Sequence, residues 1–274
     1  MKRGEKMKAF DFEYAGRNLS EFGMILCSFG TKGLETISNG SEIVFNTVSV
    51  LGGSKHRLTS VQYDNCLEAT FQICKNSCTS DVMEISATEF RELTKWLNRK
   101  KFLKFKIFDE DYFDLYYEAS FNISRIEING KLYGLELQVT TNRPFALKEP
   151  RIFVIKNTVE NGKHSINDTS YEEGYIYPLT EIVIEQDGDL DIYNALEDRH
   201  TVIKNCVVGE VITMDYPVIE SFIESPAQHH NIQNDFNYNF FRIANTYDNS
   251  RNDLTISLPC SIKLKYSPIV KVGL

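Results

Sequence analysis

The chain has 274 residues, enough for one large domain or two ordinary ones, and its 42% hydrophobic and 12% aromatic content can fill a sizeable core. A formal net charge of −8 argues against a general nucleic-acid binder, which presents a basic surface. No apolar run approaches the roughly 20 residues that cross a bilayer. The basic start Met1–Lys8 leads into Asp11 and Glu13 rather than the apolar centre of a signal peptide, so the chain is expected to be made in the cytoplasm, with Met7 a second candidate start.

Phe10-Asp11-Phe12-Glu13-Tyr14 alternates and predicts a strand, Asn18–Gly23 a turn, and Met24–Phe29 a second apolar run. Ile43–Val48 predicts a strand that stops at Gly52-Gly53; without a Gly-x-x-x-x-Gly-Lys pattern these glycines read as an ordinary loop. Leu67, Ala69, Phe71 and Ile73 share one face of a half-buried strand. Cys66, Cys74 and Cys78 cluster, but their C-x7-C-x3-C spacing lacks a paired C-x-x-C, and His56 is the one nearby histidine. Reduced, unlinked thiols are expected, with no metal and no cofactor.

Ser86-Ala87-Thr88-Glu89 is a capping box, and Phe90, Leu93, Trp96 and Leu97 recur at helical spacing. Together they predict a helix over 86–100 whose apolar stripe docks on a β-sheet, because about fifteen residues make a marginal helix alone in water. Arg99, Lys100 and Lys101 suit its C-terminal end. With Lys95, Lys104 and Lys106 they form the most basic patch of the chain, read as a solvated face in preference to a contact for an acidic neighbour.

Leu103, Phe105 and Ile107 alternate with lysines, Asp109-Glu110-Asp111 turns, and the chain returns through Phe113 to Ile123. At Ser124-Arg125 the apolar phase moves to Ile126 and Ile128, which implies a bulge or a change of sheet. Asn129-Gly130 is a two-residue hairpin signal, and Tyr133, Leu135, Leu137 and Val139 form the return strand. Pro144 and Pro150 flank a segment that cannot continue a central strand, so the boundary is set between a first domain, 1–148, and a second, 149–274.

Beyond Arg151 no helical pattern persists. Apolar runs recur at about ten-residue spacing: Ile152–Ile155, Ile182–Ile184, Leu190–Ile192, Val202–Ile203, Val207–Met214, Val218–Ile223, Phe236–Ile243, Leu254–Leu258 and Ile262–Tyr266. Turn residues separate them, as in an antiparallel sandwich. Asn157–Glu173 is polar and is expected to be a long loop. Asp187, Asp189 and Asp191 begin like a calcium loop, but Ile192 stands at its sixth position and Asp198 at its twelfth, so a hairpin turn is preferred. His229-His230 reads as an exposed loop rather than a metal pair. There is no Gly-x-Ser-x-Gly or His-Glu-x-x-His, and no residue stands out as a nucleophile, so no catalytic residue is assigned.

Phe12-Glu13-Tyr14 through Ser20–Ile25 resembles the opening of the siphovirus distal tail proteins. So do Trp96–Lys100, Tyr117–Ile123, Gly134–Leu137 running into Thr141–Phe145, and Asp235–Arg242. The resemblance covers nearly the whole chain. It implies a mainly β, two-domain fold: an N-terminal β-sandwich with one helix that builds a ring, and a C-terminal galectin-like antiparallel β-sandwich. It also implies a structural virion protein rather than an enzyme. Members form a hexameric ring at the tip of a long non-contractile tail, between the major tail tube protein and the tail-tip hub protein. DNA passes through the lumen, and some members hold a receptor-binding protein. The virion tail tip is then the site of action, assembled in the host cytoplasm with no membrane contact. The second domain lacks room for the inserted carbohydrate-binding module of larger members. Within this frame the hairpin of Ile126, Ile128, Asn129, Gly130, Leu132 and Tyr133 is the candidate contact between copies. The competing reading is a carbohydrate- or receptor-binding sandwich, suggested by the second domain and by Tyr171, Tyr175 and Tyr177.

Overall fold

A computed structural model describes residues 10–29, 42–51, 53–110, 112–222 and 231–273. The protein is mainly β and has two compact units: Met1–Lys148 with Val270–Leu274, and Glu149–Ile269. The basic start Met1–Lys8, Gly52, Asp111 and the His229-His230 pair lie outside the described residues.

The first unit contains β1 (Phe12–Tyr14), β2 (Arg17–Asn18), a 3₁₀ turn (Leu19–Phe22), β3 (Met24–Cys27), β4 (Ile43–Ser49), β5 (His56–Tyr63), β6 (Glu68–Lys75), α1 (Ala87–Leu97), β7 (Leu103–Ile107), β8 (Leu115–Ile128), β9 (Lys131–Thr141) and β10 (Ala146–Lys148). Seven of these strands form one hydrogen-bonded path, β2-β1-β7-β8-β9-β6-β3, and β10 joins β8. The strands pair antiparallel. Alternation decides which side chains face inward: Ile73, Phe105, Phe121, Leu135, Leu137 and Val139 are buried, while the residues between them face outward or are half-covered. Among the described residues, β4 and β5 pair only with each other and form a separate ribbon.

The second unit contains β11 (Arg151–Asn157), β12 (Gly162–Asn167), β13 (Gly174–Ile176), β14 (Leu179–Ile184), β15 (Gly188–Asn194), β16 (Arg199–Cys206), β17 (Val211–Asp215), β18 (Val218–Phe222), one helical turn α2 (Ile232–Asp235), β19 (Ile243–Asn245), β20 (Arg251–Ile256) and β21 (Cys260–Tyr266). A five-stranded sheet, β11-β21-β14-β17-β18, and a four-stranded sheet, β12-β20-β15-β16, enclose a core that includes Ile182, Ile184, Leu190, Ile192, Ile203, Ile212, Leu254 and Leu264. This is an antiparallel sandwich, with β13–β19 as a small additional pair. Asn252 fastens it internally: its side chain exchanges hydrogen bonds with the backbone of Ala244 and accepts one from Asn194 Nδ2 at 2.7 Å.

Several expectations need correction. α1 stops at Leu97, three residues short of 100, because Asn98 leaves helical geometry (φ −80°, ψ 87°) and the Arg99 side chain takes the Trp96 carbonyl. The register shift of β8 falls between Ile126 and Glu127, two residues beyond the phase change read at Ser124-Arg125. The segment read as a long loop, Asn157–Glu173, contains β12, fully paired to β20. Its one large buried aliphatic, Ile166, was too little for a pattern. The run Phe236–Ile243 is largely not strand: Tyr238 has φ of 58°, and Phe236, Phe240 and Phe241 fill the core from irregular backbone. Residues 270–274, assigned by sequence to the second domain, return to the first unit. There β22 (Ile269–Val270) pairs with β10, and the Tyr117 hydroxyl donates to the Gly273 carbonyl at 2.8 Å.

Candidate functional site

The first surface is the seat of α1. Ser86 Oγ accepts from the Glu89 amide at 3.3 Å, and Glu89 Oε2 accepts from the Ser86 amide at 2.7 Å, so the capping box forms in both directions. Lys75 Nζ lies 2.9 Å from the Glu89 carboxylate and ties the helix start to β6. Burial opposes ionisation of Glu89, yet the hydrogen bonds from Lys75 and Ser86 prevail and hold its pKa below the ordinary value. Of the stripe, Leu93, Trp96 and Leu97 are buried, and Phe90 is half-buried against the same core. Trp96 stacks on Phe22 at 4.4 Å and on Phe12 at 5.8 Å, and its indole N–H donates to the Tyr14 carbonyl at 2.9 Å. A buried indole needs such an acceptor. The stripe is therefore structural material, enclosed rather than offered to a partner. Beside it lies a groove of about 600 Å³ whose rim mixes Arg17, Lys95 and Arg99 with Glu21, Glu89 and Glu92.

The second surface is the β8–β9 hairpin. Asn129 (φ 52°) and Gly130 (φ 76°) both occupy left-handed backbone, as a tight two-residue turn requires. Ile128 is exposed, Ile126, Leu132 and Tyr133 are half-buried, and Leu132 packs on the core. The hairpin is held down on one side: the Ile85 amide donates to the Leu132 carbonyl at 2.7 Å, Lys131 pairs with Glu84 at 2.8 Å, and the Arg125 guanidinium lies 4.4 Å over the Phe90 ring. The structure brings these residues together at one end of the sheet, with Ile128 open and the other apolar side chains partly covered.

The third surface went unread in the sequence. The β4–β5 ribbon carries exposed Ile43, Phe45, Val48, Leu58 and Val61, and Val50 and Leu51 are exposed beyond the end of β4. β5 escaped notice because a bulge between Asn46 and Thr47 of its partner leaves Thr59 unmatched, so Leu58 and Val61 stand three residues apart instead of two. The Thr59 hydroxyl donates to the Asn46 carbonyl there at 2.8 Å.

In the second unit an aromatic and ionic cluster surrounds Arg242. Its guanidinium lies 3.4 Å over the Tyr175 ring, reaches the Tyr177 hydroxyl at 3.3 Å, and pairs with Glu197 at 2.7 Å. Tyr177 stacks on Tyr216 at 4.2 Å. Tyr171 is exposed and donates its backbone amide to the Ile269 carbonyl.

The acidic run does not converge. Asp187 accepts from the Val208 amide, Asp189 from the Asn205 amide, and Asp191 faces His200 at 2.8 Å. Among the described residues no group of three or more His, Cys, Asp and Glu side chains is placed to hold a metal ion. Cys66 and Cys78 are exposed, Cys74 is half-buried beside Cys27, and burial pushes the Cys27 thiol up to about 12. Burial likewise raises Cys206 and Cys260 to about 12. All six thiols are free. No described helix is long and apolar enough to cross a membrane.

Comparison with known proteins adds two independent findings. The model of the phage tail protein N-terminal domain matches residues 7–143, and that of the phage tail C-terminal domain matches residues 145–266. Among solved structures, the chain is similar to the crystal structure of SPP1 Dit (gp 19.1), described as a paradigm of the hub adsorption apparatus in phages infecting Gram-positive hosts. The TM-score is 0.61 at 11% identity, over 95% of this chain and 99% of that one, a likeness of fold. No curated protein matches the chain.

Proposed function

The chain belongs to the phage tail protein family, whose two domain models together span it, and from that premise we propose that it is a distal tail protein, a structural component that closes into a hexameric ring at the tip of a long non-contractile tail. The observation that carries this reading is the end-to-end likeness to SPP1 Dit, in which each chain covers nearly all of the other. In this reading the first unit builds the ring, between the tail tube protein and the tail-tip hub protein, and the second, galectin-like unit projects from it and serves receptor engagement. Head-to-tail contacts that close after a fixed rotation need no further cap, and closure removes exposed strand edges. The β8–β9 hairpin from Ile126 to Tyr133 is one contact in that ring. DNA is cargo in the lumen, which fits a chain of net charge −8 that does not hold it. The role is non-enzymatic and belongs to the virion.

Electron microscopy of the purified full chain, and of tails labelled with an antibody against it, tests the proposal. Six-fold rings, and label confined to the tail tip, are expected. Label along the tail tube would overturn the placement, and an oligomer of other symmetry would overturn the hexamer.

A second reading, a carbohydrate- or receptor-binding module, is favoured by the cluster of Tyr175, Arg242, Tyr177 and Tyr216 in the second unit. A glycan array probed with the full chain separates the two: binding lost in Tyr175→Ala supports the module, and an empty array removes it.

A further inference from the structure

We propose that β11 is an open sheet edge that receives an extended acidic segment of a partner protein as an added strand. β11 ends the five-stranded sheet of the second unit and, among the described residues, pairs with β21 alone. A strand paired on one side directs alternate N–H and C=O groups away from its neighbour. No other backbone hydrogen bond of the described residues reaches 151–157. The pairing with β21 runs from Arg151 to Asn157 without a register shift, and no proline interrupts the strand. Bulges and prolines are the usual obstacles to edge pairing. β11 has neither, so its free side is a straight template for a further strand.

The side chains select the occupant. Directly paired residues share a face, so Ile152 stands beside Lys265, Val154 beside Lys263 and Lys156 beside Ser261. Ile152 is 57% exposed and Val154 58%. Next across the sheet, β14 adds Leu179, Glu181 and Val183 to the same face. The three strands thus present Lys156, Lys263 and Lys265, all exposed, against the single carboxylate of Glu181. Among the described residues none of these lysines is ion-paired. In a chain of net charge −8 this is a local reversal of sign. Edge lysines also deter unwanted pairing. Deterrence accounts for Lys156 but not for the two exposed β-branched side chains beside it. Glutamates on the outward side of an incoming strand lie next to Lys156 and two strand spacings, about 10 Å, from Lys263 and Lys265, within the joint reach of two long side chains. Its inward side chains extend the cover of Phe153, which is half-buried and stacks on Tyr266 at 5.8 Å. The occupant is therefore a segment that alternates carboxylates with apolar residues, and the contact is independent of the ring.

The test uses the full chain and a short labelled peptide of alternating glutamate and valine, followed by fluorescence anisotropy and amide hydrogen exchange. The peptide is expected to bind, more weakly as salt is added, and to slow exchange in residues 151–157. A peptide of the same composition, with glutamates and valines in separate blocks, should bind at least about tenfold more weakly because it cannot alternate. Lys156→Gln with Lys263→Gln should weaken the alternating peptide at least about tenfold at an unchanged melting temperature. Lys156→Glu with Lys263→Glu should in addition turn the preference to a lysine–valine peptide. Absence of binding at millimolar peptide overturns the proposal. Equal binding of the block peptide reduces the site to charge attraction and overturns strand addition. Binding without protection of β11, or binding that ignores both double variants, puts the peptide elsewhere and overturns the site. None of these outcomes bears on the ring, which is judged on images of the protein and of tails.

Discussion

Two hairpins of the first unit, β8–β9 and β4–β5, follow the same alternation rule and end in opposite situations. The β8–β9 hairpin is 14 and 11 residues long, is flanked by β7 and β6, and buries Phe121, Leu135, Leu137 and Val139. The β4–β5 ribbon, 7 and 8 residues long, has the pairing of a sheet without a sheet around it. Alternation therefore specifies that a face wants cover, not who supplies it. In one hairpin the cover is intramolecular; in the other, among the described residues, neither hydrophobic core includes its side chains.

Substitutions can break this contrast, beginning with the largest expected effect. Leu135→Ala, fully buried in β9, should cost about 2–5 kcal/mol in urea unfolding of the first unit. Gly134→Ala should cost roughly 1–3 kcal/mol, because a Cβ there would run into the Phe29 ring and lie 2.9 Å from the Ile73 carbonyl. Gly130→Ala should cost about 1–2 kcal/mol, since φ of 76° strains any side chain even though the space around it is open. Phe45→Ser in the ribbon should change the monomer by no more than about 0.5 kcal/mol, as surface substitutions do. If it destabilised the monomer as much as Leu135→Ala, the two hairpins would be equivalent after all.

Acid sharpens the contrast further. Glu89 has its folded pKa depressed, so its contribution is present above the unfolded value of about 4.3 and is lost as pH falls through the folded value. A melting series below pH 5 should show the helix seat weakening, and Glu89→Gln should flatten that dependence. The ribbon, whose residues 43–63 carry no carboxylate, should not respond.

What was legible in the sequence follows the same division. The capping box at Ser86, the stripe ending in Trp96 and the Asn129-Gly130 turn could be read because each is a local rule satisfied by contiguous residues. The mainly β, two-domain class followed from strand spacing and family likeness. β5 was illegible because its bulge breaks the period at Thr59, and β12 because one buried isoleucine does not make a pattern. Phe236–Ile243 misled in the other direction: an aromatic-rich run looks like a strand, and only the left-handed Tyr238 turns it into core filling. Of the surfaces, the hairpin end was visible from its turn residues. The ribbon's open face was not, since exposure is a property of what fails to fold over it.

The Tyr117 hydroxyl finds its acceptor on Gly273, 156 positions later in the chain. On the ribosome, the strand bearing that tyrosine emerges long before its partner, with the entire second unit made in between. The first unit thus reaches its finished form only after the second has been synthesised. A tag fused close behind Gly273 would follow directly on this closing contact, so phage tails built from such fusions are expected to assemble poorly even with every surface contact intact.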